Sequence, residues 1–183
     1  MTVFAIHQDI CRQFAALCRY PDDQLRQRAD DCQALLQQVL PEAATALQPF
    51  VEFLAGSHGE GIKELYTGTF DLQPTCHPYV GYLLCGESRQ RTLFLMKLRE
   101  IYLEQGYTGR GELPDHLSEV LRFIGISNDQ CCCQVLVEDG LLPALEKVIP
   151  AIENNDNPYK SLFLALQSFL CDVQLKGADP CWI

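Results

Sequence analysis

The chain has 183 residues, with 24 acidic and 14 basic side chains, so its formal net charge is −10. This length suffices for one domain with a substantial core, and we expect residues 1–183 to form a single domain. Hydrophobic residues make up 48% and charged residues 21%, a composition that excludes a largely disordered chain. The longest unbroken apolar runs have five residues, and the amino terminus lacks a secretory-signal pattern. We therefore expect a cytoplasmic protein with no stable membrane insertion.

The charge distribution also limits the partners. Nucleic-acid binding depends on Lys and Arg contacts to phosphates, and this chain has no basic cluster to supply them. The acidic excess is concentrated in residues 101–183, which hold 12 acids and 5 bases. Such a surface suits a cationic peptide better than DNA, RNA or an anionic membrane. An acidic surface that serves only solubility is the alternative explanation.

Apolar residues recur at helical spacing along the first third of the chain. The first stripe predicts a helix that ends at Tyr20, because a residue before proline avoids helical angles. Pro21 suits the first turn of a second helix that runs to about Leu40. Pro41 begins a third helix, which ends near Gly56.

The middle of the chain is more broken. A short helix carries Ile62 to Phe70, and residues 72–78 are predicted to form a loop because they include two prolines. A short apolar segment covers residues 79–85. Ser88 can then cap a helix that ends at Gly106.

The last third continues the helical pattern. Pro114 opens one helix, Ser127 caps another that contains the cysteines 131–133, and two more are predicted at about 141–153 and 158–175. No alternating run of β-branched residues indicates a sheet. The sequence therefore predicts an all-α protein, a single globular bundle of roughly eight to ten helices.

Ten cysteines raise the alternative of a Cys/His-dependent metal-binding or redox protein. Without an export signal they are better explained as reduced thiols that act as small core hydrophobes. The triplet Cys131–Cys133 cannot direct three sulfurs at one ion from a helix, and Cys76, His77 and Cys85 lack a fourth ligand. We predict no metal site and no cofactor of the protein's own.

Catalytic groups are not indicated either. The glycine-rich segment 106–111 lacks the Gly-Lys-Ser/Thr ending of a phosphate-binding loop and follows a helix. Asp115 and His116 are candidates for acid–base chemistry. An Asp at the start of a helix can, however, accept hydrogen bonds from backbone N–H groups, and this structural role is enough to explain Asp115. We predict that the protein is not an enzyme.

Aromatic side chains crowd the middle of the sequence beside two prolines. An aromatic cluster at a helix break suits the wall of a peptide-binding groove, because tyrosine offers an apolar body and a polar tip. Ordinary core packing is the alternative explanation. The cluster consists of Tyr66, Phe70, Tyr79 and Tyr82, with Pro74 and Pro78 next to them.

Four blocks of sequence between residues 64 and 124 resemble the NarJ branch of the NarJ/TorD/DmsD chaperones. They are Glu-Leu-Tyr-Thr-Gly-Thr-Phe-Asp-Leu at 64–72, Tyr-Val-Gly-Tyr-Leu at 79–83, Gly-Glu-Ser-Arg-Gln-Arg at 86–91 and Glu-Leu-Pro-Asp-His-Leu at 112–117. The matched part covers about a third of the chain, and the order and separation of the first and last blocks are fairly specific.

The resemblance implies a TorD/NarJ-like helical fold and a cytoplasmic chaperone for a molybdoenzyme such as a respiratory nitrate reductase. Such chaperones bind the amino-terminal, twin-arginine-like segment of the apo catalytic subunit and hold it until the molybdenum cofactor is inserted. Relatives occur as monomers or homodimers. Their clients include several other oxidases and reductases, among which this sequence does not choose.

The family's peptide-binding surface can be transferred residue by residue. Its apolar wall would comprise Tyr66, Phe70, Pro78, Tyr79 and Tyr82. Asp115 and His116 match the family's acidic–histidine pair, and Glu64 stands at its acidic helix position. We assign these acids to the cationic end of the client peptide.

Overall fold

A computed structural model of the chain describes residues 3–72, 76–109, 111–152 and 156–176. Within these ranges the elements are helices joined by turns and short extended segments, and no β-strand forms. An isolated antiparallel bridge joins Tyr79 to His116. The predicted all-α fold class is confirmed. None of the helices in the described ranges is both long and apolar enough to cross a membrane.

The first three helices are α1 (Val3–Leu17), α2 (Leu25–Val39) and α3 (Pro41–Gly56). Pro41 opens α3 as predicted. The predicted start of α2 at Pro21 is wrong, because the carboxylate of Asp22 accepts a hydrogen bond from the Gln24 N–H at 2.9 Å. This local turn competes with helix and delays the first helical residue to Leu25.

The central elements are α4 (Gly59–Tyr66) with a π-helical turn that continues it (Thr67–Asp71), α5 (Val80–Cys85) and α6 (Arg89–Glu104). The predicted cap of α6 is confirmed, since the Ser88 hydroxyl accepts from the Arg91 N–H at 3.3 Å. Residues 73–75 of the predicted loop lie outside the described residues.

The remaining helices are α7 (Leu117–Ile124), α8 (Gln130–Val135), a π-helical turn (Leu136–Leu141), α9 (Leu142–Ala151) and α10 (Pro158–Lys176). The predicted capping residue of α8 is wrong: Asp129 accepts from the Cys132 N–H at 2.9 Å. The Ser127 hydroxyl instead lies 2.5 Å from the Gln105 side-chain oxygen and accepts from the Asp129 N–H.

The start of α7 also differs from the prediction. The helix begins at Leu117, three residues after Pro114, and its cap is His116, whose Nδ1 accepts from the Ser118 N–H at 3.1 Å. Asp115 therefore does not cap this helix. Its carboxylate pairs with Arg91, and this ion pair turns the side chain away from the helix start.

The core is built by α1 against α2 and α7, and by α3 against α2 and α10. One part of it, the aromatic core cluster, stacks rings from four helical segments. Ring centroids of Phe70 lie 4.9 Å from those of both Tyr66 and Tyr159, and those of Phe50 and Tyr159 are 5.2 Å apart. The Asn157 amide donates to the Thr69 hydroxyl at 2.8 Å and thereby ties the π turn after α4 to the start of α10. The cluster comprises Phe50, Tyr66, Phe70, Tyr159 and Phe163.

Candidate functional site

Two segments that are far apart in sequence are held together by main-chain hydrogen bonds. The Val80 N–H donates to the Asp115 carbonyl at 2.7 Å, and the Leu117 N–H donates to the Pro78 carbonyl at 2.8 Å. This pairing places the ring of Tyr79 edge-on against His116, with centroids 5.2 Å apart. The start of α5 and the start of α7 therefore form one fixed unit.

A charged pair and two tyrosine rings meet beside this unit. The Arg91 Nε donates to Asp115 Oδ2 at 3.0 Å. The guanidinium carbon of Arg91 lies 5.6 Å from the ring centroid of Tyr79 and 5.5 Å from that of Tyr82, within cation–π range. We call Tyr79, Tyr82 and Asp115 the aromatic–acid cage.

The tyrosine rings of the cage are partly accessible, whereas its carboxylate is covered. Tyr79 and Tyr82 are half-buried, whereas Asp115 is fully buried. The Arg91 side chain, which covers Asp115, retains 16% of its surface exposed. A buried carboxylate requires a paired charge, and here the pairing comes from one side chain at the rim.

Gly81 allows the floor of the cage to close. A Cβ at this position would lie 2.8 Å from Asp115 Oδ2 and 2.9 Å from Phe94 Cδ1, so a larger residue would displace one of them. From α9, the Lys147 ammonium donates to the Leu83 and Leu84 carbonyls and fixes the carboxyl end of α5. The position of Tyr82 is thus set by packing on both ends of a short helix.

His116 lies behind the cage as a neutral residue. Burial, and to a smaller degree the charge of Arg19, lowers its pKa to about 4. Its Nδ1 accepts from the Ser118 N–H, and the Ser118 hydroxyl lies 2.7 Å from the same nitrogen. The proton of the neutral ring is therefore on Nε2.

Two exposed carboxylates act electrostatically on Tyr79. Burial first, and then the charges of Glu112 and Asp115, raise the pKa of Tyr79, and Asp71 adds to this shift. Asp71 and Glu112 are both exposed. The negative charge of these two surface carboxylates favours a cationic ligand near Tyr79.

The structure brings only part of the predicted peptide-binding set together. Tyr79, Tyr82, Asp115 and His116 meet in one place, and Pro78 is buried directly before Tyr79. Tyr66 and Phe70 lie in the aromatic core cluster with 5% and 2% of their surface exposed. Glu64 is exposed on α4, a different element from those that form the cage.

Sequence reasoning gave no role to three residues that build the site. Arg91 was part of a matched block, but only the fold shows that α6 returns it to Asp115. Gly81 sits inside another matched block, and its spacing between two tyrosines was the available clue. His77 packs edge-on against Tyr82, with centroids 5.3 Å apart, and its Nδ1 lies 3.1 Å from the Phe70 carbonyl oxygen.

The cysteines occupy different environments. Cys11, Cys18 and Cys32 are buried, and burial raises the pKa of both Cys11 and Cys18 to about 12. Such thiols remain protonated at neutral pH and are poor nucleophiles. Across the described part of the chain, no group of three or more His, Cys, Asp or Glu side chains is arranged to hold a metal ion.

The fold matches that of a solved structure. An Archaeoglobus fulgidus protein assigned to the redox enzyme maturation proteins superposes with a TM-score of 0.61 and 21% sequence identity, over 89% of this chain and 93% of its own. The architecture is thus that of a known class of helical proteins.

The family follows from the sequence comparisons. Residues 36–163 match the family described as nitrate reductase delta subunit, so this chain belongs to that family, whose members include the NarJ assembly chaperones. A Bacillus subtilis (strain 168) protein, described as the probable nitrate reductase molybdenum cofactor assembly chaperone NarJ, is 28% identical over 164 residues, 88% of each chain. The family's members are assembly chaperones and not catalysts.

Proposed function

We propose that this protein is a cytoplasmic chaperone that binds the amino-terminal, twin-arginine-like segment of an apo molybdoenzyme catalytic subunit. A respiratory nitrate reductase is the first client to test, given the family. The chaperone holds the subunit until the molybdenum cofactor is inserted, and it does so as a monomer or homodimer.

The aromatic–acid cage is the observation that supports this proposal. A twin-arginine-like segment carries guanidinium groups followed by an apolar stretch. The cage offers a buried carboxylate and two tyrosine rings within cation–π range for a guanidinium group, and the exposed part of the same half-buried rings for the apolar stretch. The exposed carboxylates of Asp71 and Glu112, whose charges act on Tyr79, steer a cationic segment toward the cage.

The other predicted site residues differ in how directly they contribute to peptide binding in this proposal. Tyr79 and Tyr82 form the apolar wall in direct contact with the peptide, and buried Pro78 fixes the wall. Tyr66 and Phe70 belong to the aromatic core cluster and do not contact the peptide, and the Phe70 carbonyl oxygen lies 3.1 Å from Nδ1 of His77, which packs against Tyr82. His116 orients Tyr79 through their ring contact, and Glu64 adds negative charge on α4.

The test is a calorimetric titration with a synthetic peptide that spans the amino terminus of the nitrate reductase catalytic subunit. Asp115→Asn removes the buried negative charge while it preserves side-chain size. A charge-assisted hydrogen bond contributes about 1.5–3 kcal/mol, so we expect peptide affinity to fall by about tenfold or more. Asp139→Asn changes an exposed acid on the π turn before α9 and should bind as the wild type does.

Two results would contradict the proposal at different levels. Equal affinities of wild type and folded Asp115→Asn, checked by thermal melting, would remove Asp115 from the binding site. If the wild type binds neither the peptide nor the apo catalytic subunit in a co-purification from cells that cannot make the cofactor, the proposed function itself is wrong.

A further inference from the structure

The cage is already occupied by a group of the chain's own. The guanidinium carbon of Arg91 lies 5.6 Å from the ring centroid of Tyr79 and 5.5 Å from that of Tyr82, and Nε donates to Asp115 Oδ2 at 3.0 Å. These are the contacts that a guanidinium from any other source would make in the same position: two aromatic faces and a carboxylate.

Only one of the two carboxylate oxygens of Asp115 accepts a hydrogen bond from Arg91. Asp115 is 0% exposed, and its Oδ1 has no hydrogen-bond partner among the described residues. A buried acceptor without a donor costs free energy, and a guanidinium can donate to both oxygens of a carboxylate at once. Arg91 donates to one oxygen, so the pair leaves an acceptor available for a better-placed guanidinium.

We infer that Tyr79, Tyr82 and Asp115 form a guanidinium-binding site that Arg91 fills in the peptide-free protein and that an arginine side chain of the client segment takes over. This inference rests on the proposed function for the source of the arginine, and on the cage alone for the ligand class. Lysine is a poorer ligand, because a compact ammonium cannot stack on the rings or donate through a planar fork.

Arg91 is suited to leave the site. It lies in the first turn of α6, its main chain is held by the Ser88 cap, and its side chain is 16% exposed. The main chain can therefore stay in place while the side chain swings into water. In the peptide-free protein, Arg91 spares Asp115 the cost of an unpaired buried charge.

This exchange has a measurable consequence. When a side chain of the protein itself fills a site, an external ligand binds only to the molecules in which the site is open. The apparent affinity is then the intrinsic affinity multiplied by the fraction of open molecules. If about one molecule in ten is open, Arg91→Ala should bind the arginine-containing peptide about tenfold more tightly than the wild type does. Arg89→Ala, an exposed residue on the same turn of α6, is the matched control and should bind as the wild type does.

The titrations use the nitrate reductase amino-terminal peptide and a version with citrulline in place of each arginine. Citrulline has nearly the same shape without the charge. We expect the gain from Arg91→Ala with the arginine peptide only. An equal gain with the citrulline peptide, or no gain at all, would overturn the inference.

A second measurement separates this inference from the proposed function. N-methylguanidinium, a probe that needs no client, should raise the melting temperature of Arg91→Ala at concentrations where methylammonium does not. If no peptide binds any variant while N-methylguanidinium still stabilises Arg91→Ala, the guanidinium site stands and the proposed function fails. If N-methylguanidinium and methylammonium act alike, the site does not exist.

Wild-type protein covers the case in which Arg91→Ala does not fold. In an NMR titration, the Arg91 Nε–H resonance should shift when the arginine peptide binds, because that N–H leaves Asp115. A peptide that binds and leaves this resonance unchanged would overturn the inference while the proposed function remains.

Discussion

Two aromatic regions lie close together in the sequence and are built very differently. The aromatic core cluster contains Tyr66 and Phe70, which are sealed against Tyr159 and Phe163. The aromatic–acid cage contains Tyr79 and Tyr82, which remain half-buried around a charged pair. The difference lies in the neighbours: rings surrounded by rings form core, whereas the rings beside buried Asp115 also contact its counter-charge, Arg91, and stay partly exposed.

The comparison shows what an aromatic-rich stretch can and cannot reveal. The same residue types serve stability in one place and form an accessible site in the other. Burial of Asp115 is costly without a partner, and this cost distinguishes the second region. Variants in each region should therefore change different measured quantities.

The largest expected effect is on the core side. Phe70→Ala removes a fully enclosed ring, and truncation of a buried Phe costs about 3–5 kcal/mol of unfolding free energy. Urea unfolding at neutral pH should show this loss, whereas peptide affinity of the folded variant at low temperature should change little. Tyr20→Ala, which removes a half-exposed ring at the edge of the cluster, should cost clearly less. A Phe70→Ala variant of wild-type stability would show that the cluster does not hold the fold together.

A second prediction concerns His116, at the boundary behind the cage. An unfolded histidine has a pKa near 6.5, and burial lowers the pKa of folded His116 to about 4. As the pH falls, the unfolded state therefore binds the proton before the folded state does. The contribution of neutral His116 to the free energy of unfolding is complete above about pH 6.5 and is lost as the pH falls toward 4. At about 1.4 kcal/mol for each pKa unit, the loss is about 3 kcal/mol, and it levels off below pH 4.

The predicted loss of stability at low pH can be checked by measuring the free energy of unfolding as a function of pH. His116→Asn keeps a capping acceptor for α7 and should flatten the curve between pH 6.5 and 4. His58→Asn replaces an exposed histidine at the corresponding cap position of α4 and should keep the wild-type slope. Identical slopes for His116→Asn and wild type would mean that His116 is not buried as a neutral ring.

The smallest of these stability effects is expected in the cage itself. Gly81→Ala introduces a Cβ 2.8 Å from Asp115 Oδ2 and 2.9 Å from Phe94, and overpacking of this kind costs about 1–3 kcal/mol. Peptide affinity should fall with it, since Asp115 must move. Gly68→Ala, where a Cβ would meet open space, is the control and should be neutral or slightly stabilising. Thermal melting and calorimetry of both variants would measure this, and unchanged binding by Gly81→Ala would argue against a tightly closed cage floor.

The predictions from sequence succeeded where the determining interactions are local. Pro41 opens α3 and Ser88 caps α6 because each depends on residues within one turn. The start of α2 was missed for a local reason, the turn at Asp22, whereas two capping predictions failed because a distant partner competed for the side chain. Ser127 lies beside Gln105 and Asp115 pairs with Arg91, so neither caps the helix for which it was proposed.

For the site too, the sequence indicated some features, and the tertiary structure decided others. The Asp-His pair and the tyrosines were predicted from motif and residue type, and they lie within the stretch that matches the family. Which tyrosines remain accessible depends on the approach of α10, whose Tyr159 covers Tyr66 and Phe70. Spacing along the chain carries no information about that approach.

Helical periodicity and the absence of strand patterns determined the all-α class, because side-chain spacing by itself decides which face of a segment is apolar. The acidic composition favoured a cationic partner over nucleic acid or an anionic membrane. Tertiary structure alone decided that Arg91, Asp115, Tyr79 and Tyr82 share one cage. The physical reason is that a buried charge is tolerated only beside its counter-charge, and folding selects that partner in space and not along the chain.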